Sequence, residues 1–318
     1  MRYQTLGTTS IEISRVIMGT WQAGKTMWAG IDDNQIQKAL KSALDSGITT
    51  FDTAPIYGDG YSERTLAKAF RKCRSQVIYF SKVFPNKLGY EQVIQSCEQS
   101  LKNLETDVID LLQIHWPAGT FGSKKVPIEE TMRALVQLKN DGKIRAIGVS
   151  NFSAQQMEEA RQFGPIESVQ PPFSLFWRHA EQEILPYCQQ HQMTLLAYSP
   201  LAQGILAGKF GEAPQFAKGD HRKSHRLFQP DVYPVVQQAL LQLKDIADSR
   251  SVSLSELSLA WILHHEASCV IAGARNPEQV TSNARSADLV LKEDDFEKMN
   301  QLGSNVTDLL DDNPLQWR

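Results

Sequence analysis

The sequence is poor in features that would tie a chain to a membrane, a metal or an oxidising compartment. Four cysteines occur in 318 residues, Cys73, Cys97, Cys188 and Cys269, and none forms a C-x-x-C pair. That scatter offers no zinc spacing and no disulfide framework, so reduced and mostly buried thiols are expected, and no metal site. No apolar run approaches the roughly 20 residues that cross a bilayer. Met1-Arg2-Tyr3-Gln4 leads into polar, turn-forming sequence without an apolar signal core, so a cytoplasmic protein is expected. A formal net charge of −3 excludes an electrostatic case for nucleic acid or an anionic membrane as partner. Low-complexity linkers are also missing, and residues 1–318 read as one domain, its oligomeric state left open.

What is present is a globular composition, 42% hydrophobic, which supplies a substantial core. A small hairpin is expected from residues 3–6 and 11–14 around Gly7-Thr8-Thr9-Ser10. Short apolar runs follow at 16–18, 49–51, 77–80, 109–114, 144–149, 168–169, 194–197 and 269–272. Several lack in/out alternation, as strands buried on both faces do. Helical spacing fills the gaps: Ile36, Leu40, Ala43 and Leu44 before Gly47, then Val93, Ile94, Cys97, Leu101 and Leu104. Ser153 and Gln156 spell a capping box ahead of Met157 and Ala160. Val236, Leu240, Leu243 and Ala247 mark a late helix, and 257–263 another. Eight strands alternating with helices fit an open doubly wound α/β sheet or a closed (β/α)8 barrel, and the count of eight favours the barrel. Residues 211–230, rich in Gly, Pro, Lys, His and Arg without periodicity, read as a mobile loop over one end of it. The basic cluster His221-Arg222-Lys223 with Arg226 lies there and needs a local explanation.

Two phosphate motifs compete for attention. Gly19-Thr20-Trp21-Gln22-Ala23-Gly24-Lys25-Thr26 matches the G-x-x-x-x-G-K-[ST] loop of nucleotide hydrolases and kinases. Such a loop must run directly into a helix whose N-terminus holds the phosphates, whereas here the next helix begins only after Asp32-Asp33. An apolar strand ending in a magnesium-binding Asp is lacking too, since Asp110 follows Glu105-Thr106-Asp107. Gly58-Asp59-Gly60 begins like a dinucleotide fingerprint but has no third glycine.

The chemistry concentrates at the C-terminal ends of the early strands. Phe51-Asp52-Thr53-Ala54 is followed by Ile56-Tyr57-Gly58, the third strand ends in Phe80-Ser81-Lys82, and the fourth in Leu112-Gln113-Ile114-His115. In a barrel these ends converge on the face where active sites form. A phenol with an ordinary pKa of about 10 is a poor acid at neutral pH. The Lys82 ammonium is expected to lower Tyr57, and Asp52 to keep Lys82 charged and in place. His115 would orient a carbonyl oxygen while Tyr57 protonates it. Singly, each has a plain structural reading: a buried ion pair, a capping ring, a structural histidine. Together and in this order they point to catalysis.

At this point the chain resembles the aldo-keto reductase superfamily. The resemblance runs through Met18-Gly19-Thr20-Trp21, Phe51-Asp52-Thr53-Ala54-x-x-Tyr57-Gly58, Lys82 and His115-Trp116-Pro117. It continues through Gly148-Val149-Ser150-Asn151-Phe152, Gln170, Tyr198-Ser199-Pro200-Leu201 and Gly273-Ala274-Arg275-Asn276-Pro277-Glu278-Gln279. It implies a (β/α)8 barrel, the catalytic tetrad Asp52, Tyr57, Lys82 and His115, and NADPH as the donor that reduces aldehydes and ketones to alcohols. It also implies the cofactor contacts. Gly19, Thr20, Trp21 and Asp52 are among them, with Ser150, Asn151 and Gln170 for the nicotinamide carboxamide and Tyr198 to stack on its ring. Ser199, Pro200, Leu201, Gln203, Gly204 and Lys209 serve the pyrophosphate, and Gly273, Arg275, Gln279 and Asn283 the adenosine end. Arg275, at a helix start, suits a 2′-phosphate. Trp21, Trp28, Phe84, Trp116 and Trp177 are expected to line a pocket for apolar or aromatic carbonyl substrates, with Trp317 either closing it from the tail or disordered. Two rival functions are a cofactor-binding regulatory or channel-associated subunit on the same fold, and the nucleotide hydrolase of the first motif.

Overall fold

The computed structural model describes residues 1–26, 28, 30–216 and 220–313. Trp317 lies outside the described residues. Two short antiparallel strands open the chain, β1 (Tyr3–Thr5) and β2 (Glu12–Ser14). Alternation begins with β3 (Val16–Gly19), α1 (Asp33–Asp45), β4 (Thr50–Asp52), α2 (Tyr61–Phe70), β5 (Ile78–Val83) and α3 (Tyr90–Leu104). It continues with β6 (Ile109–Ile114), α4 (Ile128–Asn140), β7 (Ile144–Ser150), α5 (Ala154–Arg161) and β8 (Ser168–Gln170). The last third holds α6 (Ile184–His191), β9 (Thr194–Ala197), α7 (Tyr233–Ser249), α8 (Leu254–His264), β10 (Ser268–Gly273), α9 (Pro277–Arg285) and α10 (Glu293–Thr307). Strands β3 to β10 are parallel, and β10 pairs with β3, so the sheet closes into the (β/α)8 barrel that the count of eight favours. Among the described residues no helix is long and apolar enough to cross a membrane.

Local sequence explains the helix starts. Asp32 accepts a hydrogen bond from the Gln35 amide ahead of α1, which turns Ile36, Ala39, Leu40 and Ala43 to the core. Ser153 and Gln156 close both halves of a capping box on α5, and Ser253 with Glu256 does the same on α8.

Period-two geometry divides the barrel interior. Ile17, Phe80, Leu111, Ala146, Leu196, Cys269 and Ile271 share one apolar cluster with Leu6, Ile11 and Ile13 of the hairpin. The hairpin therefore plugs the N-terminal end of the barrel. Side chains two residues further along a strand share the same inward face. That step leads from Phe80 to Lys82, from Leu111 to Gln113, and from Ala146 to Gly148 and then Ser150. The C-terminal half of the interior is thereby polar, above an apolar floor. Outward-facing residues such as Phe51, Leu112, Ile147, Val169 and Val270 join the larger core shared with the helices.

The segment between β9 and α7 carries two 3-10 turns, His221–Ser224 and Arg226–Phe228. Its described parts pack Phe210, Phe216 and Phe228 together, with ring centroids 4.7–5.7 Å apart, and the Tyr233 hydroxyl donates to the Gly211 carbonyl. These rings sit at irregular spacing, so hydrophobic periodicity does not reveal them.

The plug makes a checkable claim about stability. Leu6 is fully buried in the apolar floor, so Leu6→Ala should cost about 2–5 kcal/mol in a urea unfolding titration. The exposed hairpin residue Tyr3, changed to Ala, should cost a small fraction of that. Equal losses at the two positions would mean that the hairpin does not seal the core.

Candidate active site

Asp52 is the last residue of β4, and Tyr57 lies on the turn that follows it. That turn is held against a 3-10 turn at Trp21–Gly24 by two glycines facing one another. A Cβ on Gly24 would stand 2.6 Å from the Tyr57 carbonyl carbon, and one on Gly58, at φ +68°, would stand 2.2 Å from the Gly24 oxygen. No other residue permits so close a backbone approach, and it fixes where Tyr57 enters the barrel mouth.

The four expected catalytic residues come together there. The Lys82 ammonium, fully buried, donates to Asp52 Oδ1 at 2.5 Å, to the Thr53 carbonyl at 2.9 Å and to the Tyr57 hydroxyl at 3.5 Å. Burial works against its charge, but Asp52 and then Tyr57 outweigh it and leave Lys82 above its ordinary range. The Tyr57 phenol differs from the expectation. Burial pushes it above its ordinary value, and the opposing pull of Lys82 does not win. Tyr57 is therefore a firmly protonated phenol in the free protein. Burial, and after it Lys82, holds the His115 imidazole well below its ordinary range, so it is neutral. Its ring meets Tyr57 edge to face at 6.0 Å. His115 Nδ1 is buried without a partner. An unpaired buried lone pair costs less than an unpaired buried N–H, which favours the tautomer with the proton on Nε2.

The residues implied for the nicotinamide form one connected set beside this tetrad. Asn151, at φ +61°, donates to the His115 carbonyl at 3.1 Å and to Ser150 Oγ at 3.0 Å, and accepts from the Tyr198 hydroxyl at 2.9 Å. Ser150 Oγ donates to the Gln170 carbonyl. Gln170 Nε2 donates to Asp52 Oδ2 at 3.0 Å and to Gln113 Oε1 at 3.2 Å, which leaves the side-chain oxygen Oε1 as the free end. Gln113, which the sequence reading did not single out, donates to Asp52 Oδ2 at 3.3 Å. The Thr20 hydroxyl donates to the Asp52 carbonyl and accepts from Ser62. It holds the end of β4 in place.

Beyond β9 the backbone winds through four left-handed residues, Ser199, Ala202, Gln203 and Gly204, with Pro200 and Leu201 between them. Concave backbone of this kind aims amides at anions. Further out, Lys209 and Arg275 are each held below their ordinary range, by burial first and then by cationic neighbours. Arg222 contributes to both, while Asp220 binds Arg222 and partly relieves Arg275. Arg222 was only part of an unexplained basic cluster in the sequence. Arg226, from the same cluster, is occupied by Asp231. The Gln279 side chain accepts from the Arg275 amide, Asn276 caps α9, and Asn283 is buried beside the Gly273 carbonyl. A cleft of about 440 Å³ opens here, lined by Ile31, Asp32, Gln35, Arg275, Asn276 and Glu278. Gly19 and Gly273 are register partners across the β3–β10 seam.

Aromatic rings wall the mouth. Trp21 meets Trp28 edge to face at 5.2 Å and lies 6.4 Å from Tyr57, and the Arg275 guanidinium sits over Trp28. Phe84 meets His115 at 5.7 Å and stacks on Phe121, which also contacts Trp116. Phe121, 43% exposed in an irregular loop, carries no sequence signal. Trp177 corrects an expectation. It is 1% exposed and packs in the hydrophobic core, so its ring borders no open space. The phosphate-loop reading also finds no support in geometry. Lys25 pairs with Asp33 at 2.7 Å, and α1 starts only at Asp33, so the loop does not run directly into a helix and its lysine is occupied.

Comparison with known proteins places the chain in a family. The model of the Aldo/keto reductase family matches residues 15–304. The aldo-keto reductase YhdN of Bacillus subtilis is 38% identical, over 96% of this chain and 95% of its own length. An NADH-specific methylglyoxal reductase of Escherichia coli is 32% identical over 95% of this chain and 98% of its own. Among solved structures, a glycerol dehydrogenase from Gluconobacter oxydans superposes with a TM-score of 0.87 at 32% identity, covering 98% of this chain and 97% of that one. An aldo-keto reductase from Klebsiella pneumoniae in complex with NADPH gives 0.75 at 28% identity, with 95% of both chains covered.

The neutral state of His115 is open to measurement. With its folded pKa lowered, nitrogen chemical shifts of the His115 ring should show no titration between about pH 5 and 8. The unfolded chain would take up that proton below about pH 6.5, so the corresponding contribution to stability should shrink as pH falls. A titration midpoint near 6.5 in the folded protein would contradict the burial argument.

Proposed function

The chain belongs to the aldo/keto reductase family, and we propose that it is an NADPH-dependent reductase of aldehydes and ketones in which Tyr57 gives the proton. The observation that carries this reading is the buried Lys82–Asp52 pair reaching the phenol of a protonated Tyr57, with a neutral His115 beside it.

The residues present fit the dinucleotide. Lys209, Arg222 and Arg275 are crowded like charges, and an anion between them would relieve their mutual repulsion. The left-handed run at 199–204 offers backbone amides for a pyrophosphate, and Arg275 at the start of α9 suits a 2′-phosphate. Gln170, Asn151 and Ser150 would hold the carboxamide, the first through its free carbonyl oxygen. Tyr198, tethered by its hydroxyl to Asn151, would present its ring to the nicotinamide. When bound, NADPH supplies the hydride that reaches the carbonyl carbon.

The chain does the rest. His115 donates from Nε2 to the substrate oxygen and aims it. Tyr57 passes its proton to that oxygen as negative charge develops there. Burial has kept the proton on Tyr57 at neutral pH. Lys82 stabilises the phenolate left behind, and Asp52 keeps the buried Lys82 charged. Positioned acid catalysis of this kind is worth about 10²–10⁴-fold. Because the ordinary phenol value is raised, reductase activity should persist through neutral pH and fall only as alkaline pH removes the Tyr57 proton. The rings of Trp21, Trp28, Phe84, Trp116 and Phe121 favour flat or apolar carbonyl compounds. We read the whole chain as a single catalytic domain.

Two experiments test this. Tyr57→Phe should lower kcat for an aromatic aldehyde by at least about 10²-fold while the Kd for NADPH, read by quenching of protein fluorescence, stays within about twofold. Retained turnover would remove Tyr57 as the acid. Arg275→Ala should weaken NADPH about ten- to a hundredfold and leave NADH nearly unchanged, as loss of a charge-assisted contact predicts. Equal losses for the two cofactors would place Arg275 away from the 2′-phosphate.

A further inference from the structure

Gln113 stands at the middle of the barrel interior, bonded to Asp52 and Gln170, and has no part in the proposed chemistry as proton donor, cofactor contact or wall. It is fully buried on β6, two residues before His115 on the same inward face. Its amide touches both halves of the site: Nε2 donates to Asp52 Oδ2, and Oε1 accepts from Gln170 Nε2. The orientation of both amides follows from charge. Asp52 Oδ2 accepts, so each glutamine must turn its nitrogen toward it, and once Gln113 has done so its oxygen is placed for the second Gln170 hydrogen. With both hydrogens committed, Gln170 keeps only its carbonyl oxygen to offer. The barrel has left room for this side chain. A Cβ at Gly148, on the neighbouring strand β7, would lie 3.0 Å from Gln113 Cγ and 2.5 Å from Ser168 Oγ.

We propose that Gln113 is a positioning residue that aligns the proton donor and the cofactor pocket together. On one side it holds Asp52 so that Oδ1 meets Lys82, which in turn reaches Tyr57. On the other it locks Gln170 with its carbonyl oxygen presented to the carboxamide. One amide thus sets the angle between the group that gives the proton and the groups that hold the hydride donor. Leucine or methionine would fill the same space and provide neither bond. The inference rests on the proposed reductase reading for its kinetic arm alone. The titratable groups around this cluster are Asp52 on β4, Tyr57 after it, Lys82 on β5 and His115 after β6, with Tyr198 bonded to Asn151 beyond them.

The test compares wild type, Gln113→Leu and Gln113→Glu at full length. In Gln113→Leu, kcat should fall roughly ten- to a hundredfold, the loss expected when reacting groups shift by about an ångström. Its alkaline limb should move to higher pH, because Lys82 no longer holds steady against Tyr57. The KM for the aldehyde should change little, and NADPH should bind several-fold more weakly by fluorescence titration as Gln170 turns. In Gln113→Glu, a protonated carboxyl can still donate to Asp52, so activity should survive at low pH. It should then fall about tenfold or more as that carboxyl ionises beside Asp52, at a pH above the ordinary glutamate value of about 4.3. The wild type should lack that limb. A folded Gln113→Leu protein with wild-type pH profile and NADPH affinity would overturn the proposal, as would a Gln113→Glu profile that overlays the wild type. Should the leucine variant fail to fold, the glutamate profile decides. If the wild type itself reduces no aldehyde, the reductase reading fails, and the NADPH titration still judges Gln113.

Discussion

The structure of the site depends on one buried ion pair, Lys82 with Asp52. Both residues are almost wholly removed from water, 0% and 3% exposed, and neither charge would be tolerated there alone. Such a pair is weak evidence for stability, since its desolvation penalty rivals its attraction, and an apolar pair of similar volume often does as well. Its retention inside the barrel therefore points to chemistry. The pair keeps a full positive charge within reach of a phenol in a place that water does not screen. Each neighbouring group is then defined by it. Thr53 gives its carbonyl to Lys82, Gln170 and Gln113 satisfy the second Asp52 oxygen, and Lys82 helps to keep His115 neutral.

That pair is possible because the barrel interior is divided along its axis. Below, the hairpin residues Leu6, Ile11 and Ile13 seal an apolar floor with Phe80, Leu111 and Ala146. Above, the same strands, two residues on, carry Lys82 and Gln113, and four residues on, His115 and Ser150. The floor excludes water from beneath, and a site closed on one side needs access only from the C-terminal mouth. The aromatic rings and the segment after β9 surround that mouth, where Lys209, Arg222 and Arg275 gather positive charge. Apolar floor, polar layer and cationic rim are three consequences of one parallel, closed sheet.

Much of this was legible in advance because it is local. Strand runs with no alternation reported burial on both faces, and in the structure those strands face helices outside and a packed interior inside. The capping box at Ser153 and Gln156 formed as written, since its hydrogen bonds span only three residues. Asp52, Tyr57, Lys82 and His115 were recognisable as polar endings of apolar strands. Gln113 had a signal as well, its alternation with Leu111 and His115, but an amide between two apolar neighbours draws no notice until its partners are known. Trp177 failed in the other direction: an aromatic residue in a loop looks like a wall until packing shows it enclosed by core.

By itself the sequence determined the order of strands and helices, the number eight and the identity of the reactive groups, because these depend on periodicity, caps and side-chain chemistry within a few residues. Only the tertiary structure decided the balance of electrostatic effects. Lys82 was expected to draw the Tyr57 phenol downward, yet burial prevails, since desolvation sums over everything that surrounds a group while a charge acts through one distance. It also decided which distant residues meet, such as Arg275 with Trp28 and Gln113 with Gln170 and Asp52. Those contacts join segments far apart in the chain, and only closure of the barrel brings them within reach.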